Sequence, residues 1–264
     1  LVIFAIRTFK LENIKVHRPR VIPVLLLKDK ALYKSIGFKN HRYIGDPINA
    51  VHIFNDLRAD ELVFLDTQAT KENRTIDLEF VRIVGEEADM PFSVGGGIRT
   101  LDNIQEIIAA GAERVIITTY AAENPAFIQE AAAEFGSSTI AVCMDVKKKL
   151  LGGIKTWTHA GTKSTRYDPV SFAKLMEEKG AGEIIVQSIE KDGEMSGYDL
   201  DLIRSISQAV TIPVVALGGA GSISDLQKAH REGFASGLAA GSLFVYQSKK
   251  RGVLINYPEE SLKS

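Results

Sequence analysis

The sequence predicts an α/β chain folded as one (β/α)8 TIM barrel, built from two duplicated half-barrels. A repeated glycine turn is the first observation behind that prediction. Phe92-Ser93-Val94-Gly95-Gly96-Gly97-Ile98-Arg99-Thr100 runs from an apolar strand through glycines to Thr100 and Asp102, which open the amphipathic segment 101–110. Val214-Val215-Ala216-Leu217-Gly218-Gly219-Ala220-Gly221-Ser222 repeats it, with Pro213 standing 122 residues (213 − 91) beyond Pro91. The same offset carries Gly111 to Gly233 and Glu61 to Glu183, so residues 60–65 match 182–187. A repeat of about 120 residues is far longer than a solenoid unit and suits half a barrel. The whole chain of 264 residues suits one complete barrel.

The elements follow in order. Residues 20–27 are an apolar run fit for a strand buried on both faces, although Pro23 is awkward inside a central strand. Residues 28–45 read as a long basic loop. Asp46-Pro47 caps the first helix, whose buried face is Ile48, Val51, Phe54 and Leu57. Strand two is 62–66, with its helix at 76–88, and strand three enters the glycine turn. Strand four, 114–118, is followed by Asn124-Pro125 and the helix 126–135. Strand five is 139–145. Residues 147–167, with Gly152-Gly153 and Trp157, form an excursion expected to be a hairpin on the catalytic face. Asp168-Pro169 caps the helix 170–179, as Asp46-Pro47 did earlier. Strands 183–188, 214–217 and 237–240 complete the barrel, with a helix opening at Asp199. The expected organisation is an N-terminal tail, 1–19, and a single barrel domain, 20–264.

Composition excludes several classes. Thirty-two basic and 33 acidic residues are interspersed, giving a net charge of −1 and no nucleic-acid surface. The single cysteine, Cys143, suits a reducing cytoplasm and excludes a disulfide framework. No apolar run is long enough to span a membrane, and residues 1–6 are too short for the apolar region of a secretion signal. His17, His41, His52, His159 and His230 form no metal-binding spacing, and no cofactor is implied.

In such barrels chemistry belongs to the C-terminal ends of the strands. Asp145 ends strand five as the first carboxylate after an apolar run, placed either for general acid–base work or to cap a loop. Asp66 ends strand two, and Asp192, before Gly193, serves equally as a turn or a site residue. Lys34 is an anion-holding candidate, or a solvated lysine of its loop. Thr118-Thr119 and Gly241-Ser242 end strands four and eight, each beside a glycine turn. Hydroxyls and bare N–H groups there could complete two phosphate cradles, or the small residues simply pack under loops. Their duplication favours a ligand with a phosphate at each end.

Ser93-Val94-Gly95-Gly96-Gly97-Ile98-Arg99, Asp60-Glu61-Leu62-Val63-Phe64-Leu65-Asp66, Asp192-Gly193 with Gly197-Tyr198-Asp199, and Gly218-Gly219-Ala220-Gly221 together resemble HisF, the cyclase subunit of imidazole glycerol phosphate synthase. The resemblance covers Arg20 to about Tyr246. It implies a two-half barrel with a phosphate site in each half. It also implies a HisH-type glutaminase docked on the N-terminal face, and ammonia arriving through the barrel. One phosphate site would be Gly97, Thr118 and Thr119, although the family usually has Asn at the position of Thr118. The other would be Gly193, Gly219, Gly241 and Ser242. Lys34 matches a substrate-loop lysine. A ring of charge at the ammonia entrance maps to Arg20, Glu61, Arg114 (usually Lys) and Glu183.

One position departs from the pattern. The family's ring closure uses two aspartates, at the ends of strands one and five. Asp145 matches the second, but the first falls on Leu26. Internal symmetry agrees, since Leu26-Leu27-Lys28 aligns with Asp145-Val146-Lys147. The segment 252–258 also departs from the usual terminal helix. Both departures resemble a paralogous branch encoded with surface-polysaccharide genes, whose members are thought to pass ammonia towards amidination of a sugar. The sequence therefore points to a paralogue conducting ammonia to a phosphorylated acceptor. Two alternatives stand beside it: a true cyclase of histidine biosynthesis, and a non-catalytic channel and docking module.

Overall fold

The computed structural model describes residues 18–149, 153–247 and 252–258. The expected tail over residues 1–17 and Gly152 of the second excursion lie outside them. In chain order the elements are β1 (Arg20–Lys28), β2 (Ala31–Ile36), β3 (Lys39–Gly45), α1 (Pro47–Asp56), β4 (Leu62–Asp66), α2 (Leu78–Glu87) and β5 (Phe92–Gly95). Next come α3 (Leu101–Ala109), β6 (Arg114–Ile117), α4 (Thr119–Glu123), α5 (Pro125–Phe135), β7 (Ile140–Lys148), β8 (Ile154–Thr158), β9 (Lys163–Ser164) and α6 (Pro169–Glu178). The chain continues through β10 (Glu183–Ser188), α7 (Leu200–Ser207), β11 (Val214–Leu217), α8 (Ile223–Arg231), β12 (Gly237–Ala240) and α9 (Ser242–Val245).

Eight of these strands pair in parallel and close on themselves in the order β1-β4-β5-β6-β7-β10-β11-β12, with β12 returning to β1. The chain is a (β/α)8 barrel. Its two apolar compartments follow from strand alternation, which sends neighbouring side chains to opposite faces. Outward residues such as Leu25, Phe64, Val94 and Val142 pack on the helices. Inward residues, among them Ile22, Val24, Val63, Ile116, Cys143, Ile185 and Val215, fill the lumen.

Helix starts are set as the sequence implies. Asp46 and Asp168 cap α1 and α6 through their side chains, each followed by proline. Thr100 and Asn103 form a reciprocal capping box at α3. Pro23 stays within β1, opposite Ala240. Three expectations need correction. Residues 28–45 are no loop: β2 and β3 form an antiparallel hairpin rising from β1. The short helix α4 precedes α5, so strand four ends one residue early, at Ile117. Strand five runs on to Lys148, because β8 pairs with its end and prolongs it. The excursion that β8 begins is a hairpin, as expected.

Residues 252–258 form no helix, as the sequence indicated. Leu254 N donates to Val245 O, and Asn256 N to Phe244 O. The Tyr257 hydroxyl then donates to Val21 O (3.1 Å) and accepts from Asp60 N (3.0 Å). Arg18 also pairs with Asp60, at 2.9 Å.

Candidate active site

Register fixes which side chains share the mouth of the lumen. Leu26 pairs with Leu65, and Asp145 pairs with Gln187. Leu65 and Gln187 are themselves 122 residues apart (187 − 65), the repeat offset. The hairpins repeat the relation, with Leu26 opposite Tyr33 and Asp145 opposite Trp157. Leu26 therefore occupies the half-barrel counterpart of Asp145, and it packs against the lumen cluster. The mouth is chemically one-sided, with leucines in the first half and an acid and an amide in the second.

Asp145 is buried, and its carboxylate accepts no hydrogen bond from any described residue. Burial, and then the charge of Asp192, pushes its carboxyl up to about 8. At neutral pH it is mainly a neutral acid, able to donate a proton before it can accept one. Neither other carboxylate is free to replace the missing partner. Asp66 accepts from Gln68 N, Ala69 N and Arg74 Nη1, which fold its own loop. Asp192 accepts from Ser35 Oγ (2.9 Å), Phe38 N (3.4 Å) and Gln187 Nε2 (3.3 Å).

Those bonds make Asp192 the latch of the β2–β3 hairpin. Gly37 N also donates to Asp192 O. The hairpin tips converge over the mouth, for a Cβ on Gly161 would stand 2.8 Å from Ile189 Cδ1 and 3.4 Å from Phe38 Cδ2. Lys34, carried inward by β2, donates from Nζ to Val24 O at 2.9 Å. Burial lowers its ammonium to about 8, against the opposing pull of Asp192. A Cβ on Gly241 would stand 1.7 Å from Lys34 Nζ, so this lysine lies against the strand-eight turn. Gly193 abuts Ser35 O, completing a cluster of Lys34, Gly193 and Gly241.

The two glycine turns are built alike. Gly97 (φ +68°) lies against the Arg74 carbonyl, and Gly219 (φ +116°) against the Gly197 carbonyl. Thr118 and Gly241 each precede a short helix, whose first residues are Thr119 and Ser242. Thr119 Oγ1 accepts from His159 N at 3.1 Å, so its hydroxyl also anchors the second hairpin.

The opposite end of the lumen carries the ring of charge. Arg20 pairs with both Glu61 and Glu183, and Arg114 reaches the same two carboxylates at 3.2 and 3.3 Å. Ser93 Oγ donates to Glu61 Oε1 at 2.8 Å. Burial raises the Glu183 carboxyl despite both arginines. Between ring and mouth lies a narrow cavity with room for about one water-sized molecule. Its walls run from Glu61, Arg114 and Glu183, past Cys143 and Ile185, to Leu65 and Leu217.

Comparison with known proteins identifies the family. The family model described as "Histidine biosynthesis protein" matches residues 20–250. The chain is 41% identical over 227 residues to imidazole glycerol phosphate synthase subunit HisF of Alkaliphilus metalliredigens, covering 86% of this chain and 90% of that one. This chain belongs to the HisF family. Other HisF relatives carry qualified names. The chain is 42% identical over 247 residues to "Putative imidazole glycerol phosphate synthase subunit hisF3" of Vibrio vulnificus, covering 93% and 95% of the two chains. It is 43% identical over 242 residues to "Putative imidazole glycerol phosphate synthase subunit hisF2" of Pseudomonas aeruginosa, covering 92% and 96%. No helix among the described residues is long and apolar enough to cross a membrane.

Sequence reasoning about this HisF-family chain missed Gln187. The available signal was a polar residue ending the apolar run Glu183–Ser188 where the first half has Leu65. The pH behaviour of Asp145 provides a prediction. Its folded pKa stands above the unfolded 3.8, so the stability gained by holding the proton is complete below about pH 4 and lost as pH rises through about 8. Asp145→Asn should remove up to about 1.4 kcal/mol of stability loss per pH unit in that window. Denaturant titrations of both proteins at several pH values check this, and parallel curves would contradict it. Lys34 acts in the opposite sense at higher pH, adding stability between about 8 and 10.5 in both proteins.

Proposed function

We propose that this chain is the ammonia-accepting subunit of a glutaminase-coupled synthase, which delivers nitrogen to a phosphorylated acceptor and no longer closes an imidazole ring. The single observation that carries the reading is Leu26, standing at the half-barrel counterpart of Asp145 at the mouth of the lumen. Leucine can neither exchange a proton nor carry charge. The acid–base pair is thus reduced to one member, and that member is buried between Trp157 and Gln187 in the register.

The remaining parts support delivery. A HisH-type glutaminase would dock on the N-terminal face, at Arg20, Glu61, Arg114 and Glu183, and the cavity above runs past Cys143 towards Leu65 and Leu217. Acceptor phosphates would sit at Gly97 with Thr118 and Thr119, and at Gly193, Gly219, Gly241 and Ser242, with Lys34 against the second group. Amidination of a sugar for a surface polysaccharide, in the cytoplasm, is the role that suits a paralogue of this kind. The duplicated cradles speak against a bare conduit, which has no need of phosphate sites.

If the ring is a gate, Arg114→Ala should alter glutamine-dependent turnover in the complex while turnover on added ammonium stays within about twofold. The bare alternative is a charge cluster that only stabilises the bottom of the barrel. Equal loss with both nitrogen sources, in step with a lower melting temperature, would establish that alternative.

A further inference from the structure

Besides the Asp145 carboxyl, the mouth of the lumen holds a polar atom that no described residue uses. Gln187 is 4% exposed, and its Oε1 accepts no hydrogen bond from any described residue. Buried acceptors are nearly always paired, so such an atom marks a place where a small donor, an ordered water or a ligand, completes the fold. The amide is not loose. Nε2 donates to Asp192 Oδ1 at 3.3 Å, and Asp192 is itself fixed by Ser35 and Phe38, which sets the direction of Oε1.

Strand geometry says where Gln187 faces. Glu183 and Ile185 line the cavity above the charge ring, and alternation puts Gln187 next in the same inward row. Its register neighbours are Asp145 on one side and Leu217 on the other. In the first half the corresponding residue is Leu65, so the acceptor stands on one side of the mouth only.

We propose that Gln187 Oε1 receives ammonia as it leaves the lumen, holding it by one N–H with the lone pair turned towards the acceptor. This rests on the delivery reading above. A carboxamide suits the task because it accepts a hydrogen bond and takes no proton. A carboxylate in its place would favour ammonium, which has no lone pair to give. A phosphate group has oxygens to offer rather than donors, so it does not satisfy this atom, whereas ammonia carries three N–H groups.

The test needs no knowledge of the acceptor. The labelled protein is titrated with ammonium chloride at mildly alkaline pH, with potassium chloride as the control, following the Ile185 methyl and the Gln187 side-chain amide by NMR. A saturable, ammonium-specific shift of both signals is expected. The affinity read from Ile185 should fall about tenfold or more in Gln187→Leu, the loss of one hydrogen bond. If the Ile185 methyl responds but the Gln187 amide does not, or if Gln187→Leu keeps its affinity, Gln187 is no receiver and delivery through the lumen stands. If neither signal responds, both readings fail.

Discussion

Leu26→Asp is expected to raise ring-closing turnover by at least about a hundredfold, when the protein is given the ribulosyl intermediate of histidine biosynthesis with saturating ammonium. General acid–base groups typically contribute about a hundred- to ten-thousandfold each. Where two groups act as a unit, losing one costs nearly as much as losing both. The substitution returns a carboxylate to the position that pairs with Leu65 and mirrors Asp145. It should also alter Asp145. At present burial, and then the charge of Asp192, holds that carboxyl near 8. A second carboxylate at the mouth would set up a coupled pair, with one member ionised at neutral pH. No gain from Leu26→Asp, in a protein that binds the intermediate normally, would mean that the rest of the mouth has also been rebuilt.

The second large effect concerns stability. Gly97→Val should cost more than about 4 kcal/mol, a large share of the roughly 5–15 kcal/mol that typically holds a domain folded. A Cβ at Gly97 would stand 1.8 Å from the Arg74 carbonyl oxygen, which is backbone and cannot swing aside. The φ of +68° adds a strain that β-branched residues bear worst. This substitution therefore tests the fold before it can test any phosphate site. Gly136→Ala separates the two costs, since its φ is +84° and nothing lies within 4 Å of the added atom. Backbone strain alone predicts a loss of about 1–3 kcal/mol there. Similar melting temperatures for the two variants would show that the loop carrying Arg74 yields easily.

The barrel was legible because its strands are short apolar runs whose ends are marked by polar residues, proline or glycine. Leu62–Asp66, Glu183–Ser188, Val214–Leu217 and Gly237–Ala240 were read to the residue for that reason. Internal symmetry also aligned Leu26-Leu27-Lys28 with Asp145-Val146-Lys147 before any pairing was known, at a separation of 119 residues (145 − 26) rather than 122, and the register agrees. The β2–β3 hairpin was not legible. Its outer strand, Lys39–Gly45, is polar and exposed, and the hairpin docks through Ser35, Gly37 and Phe38 on Asp192, 157 positions beyond Ser35. Local periodicity holds no record of a contact at that separation. Gln187 was overlooked for a similar reason, because an amide at the end of a strand has many uses. Its isolation appears only when Asp145, Asp192 and Leu217 are placed around it. The glycine turns were read as open to anions. The structure shows that their lack of side chains first admits the carbonyls of Arg74 and Gly197.

The central claim is that this HisF-family barrel keeps the means to receive ammonia but has lost ring closure with the first aspartate. The most direct test is to supply the unaltered chain with the ribulosyl intermediate and saturating ammonium, and to follow imidazole glycerol phosphate against an ordinary cyclase subunit. Turnover lower by about a hundredfold or more is the predicted result, and turnover within about tenfold would contradict it.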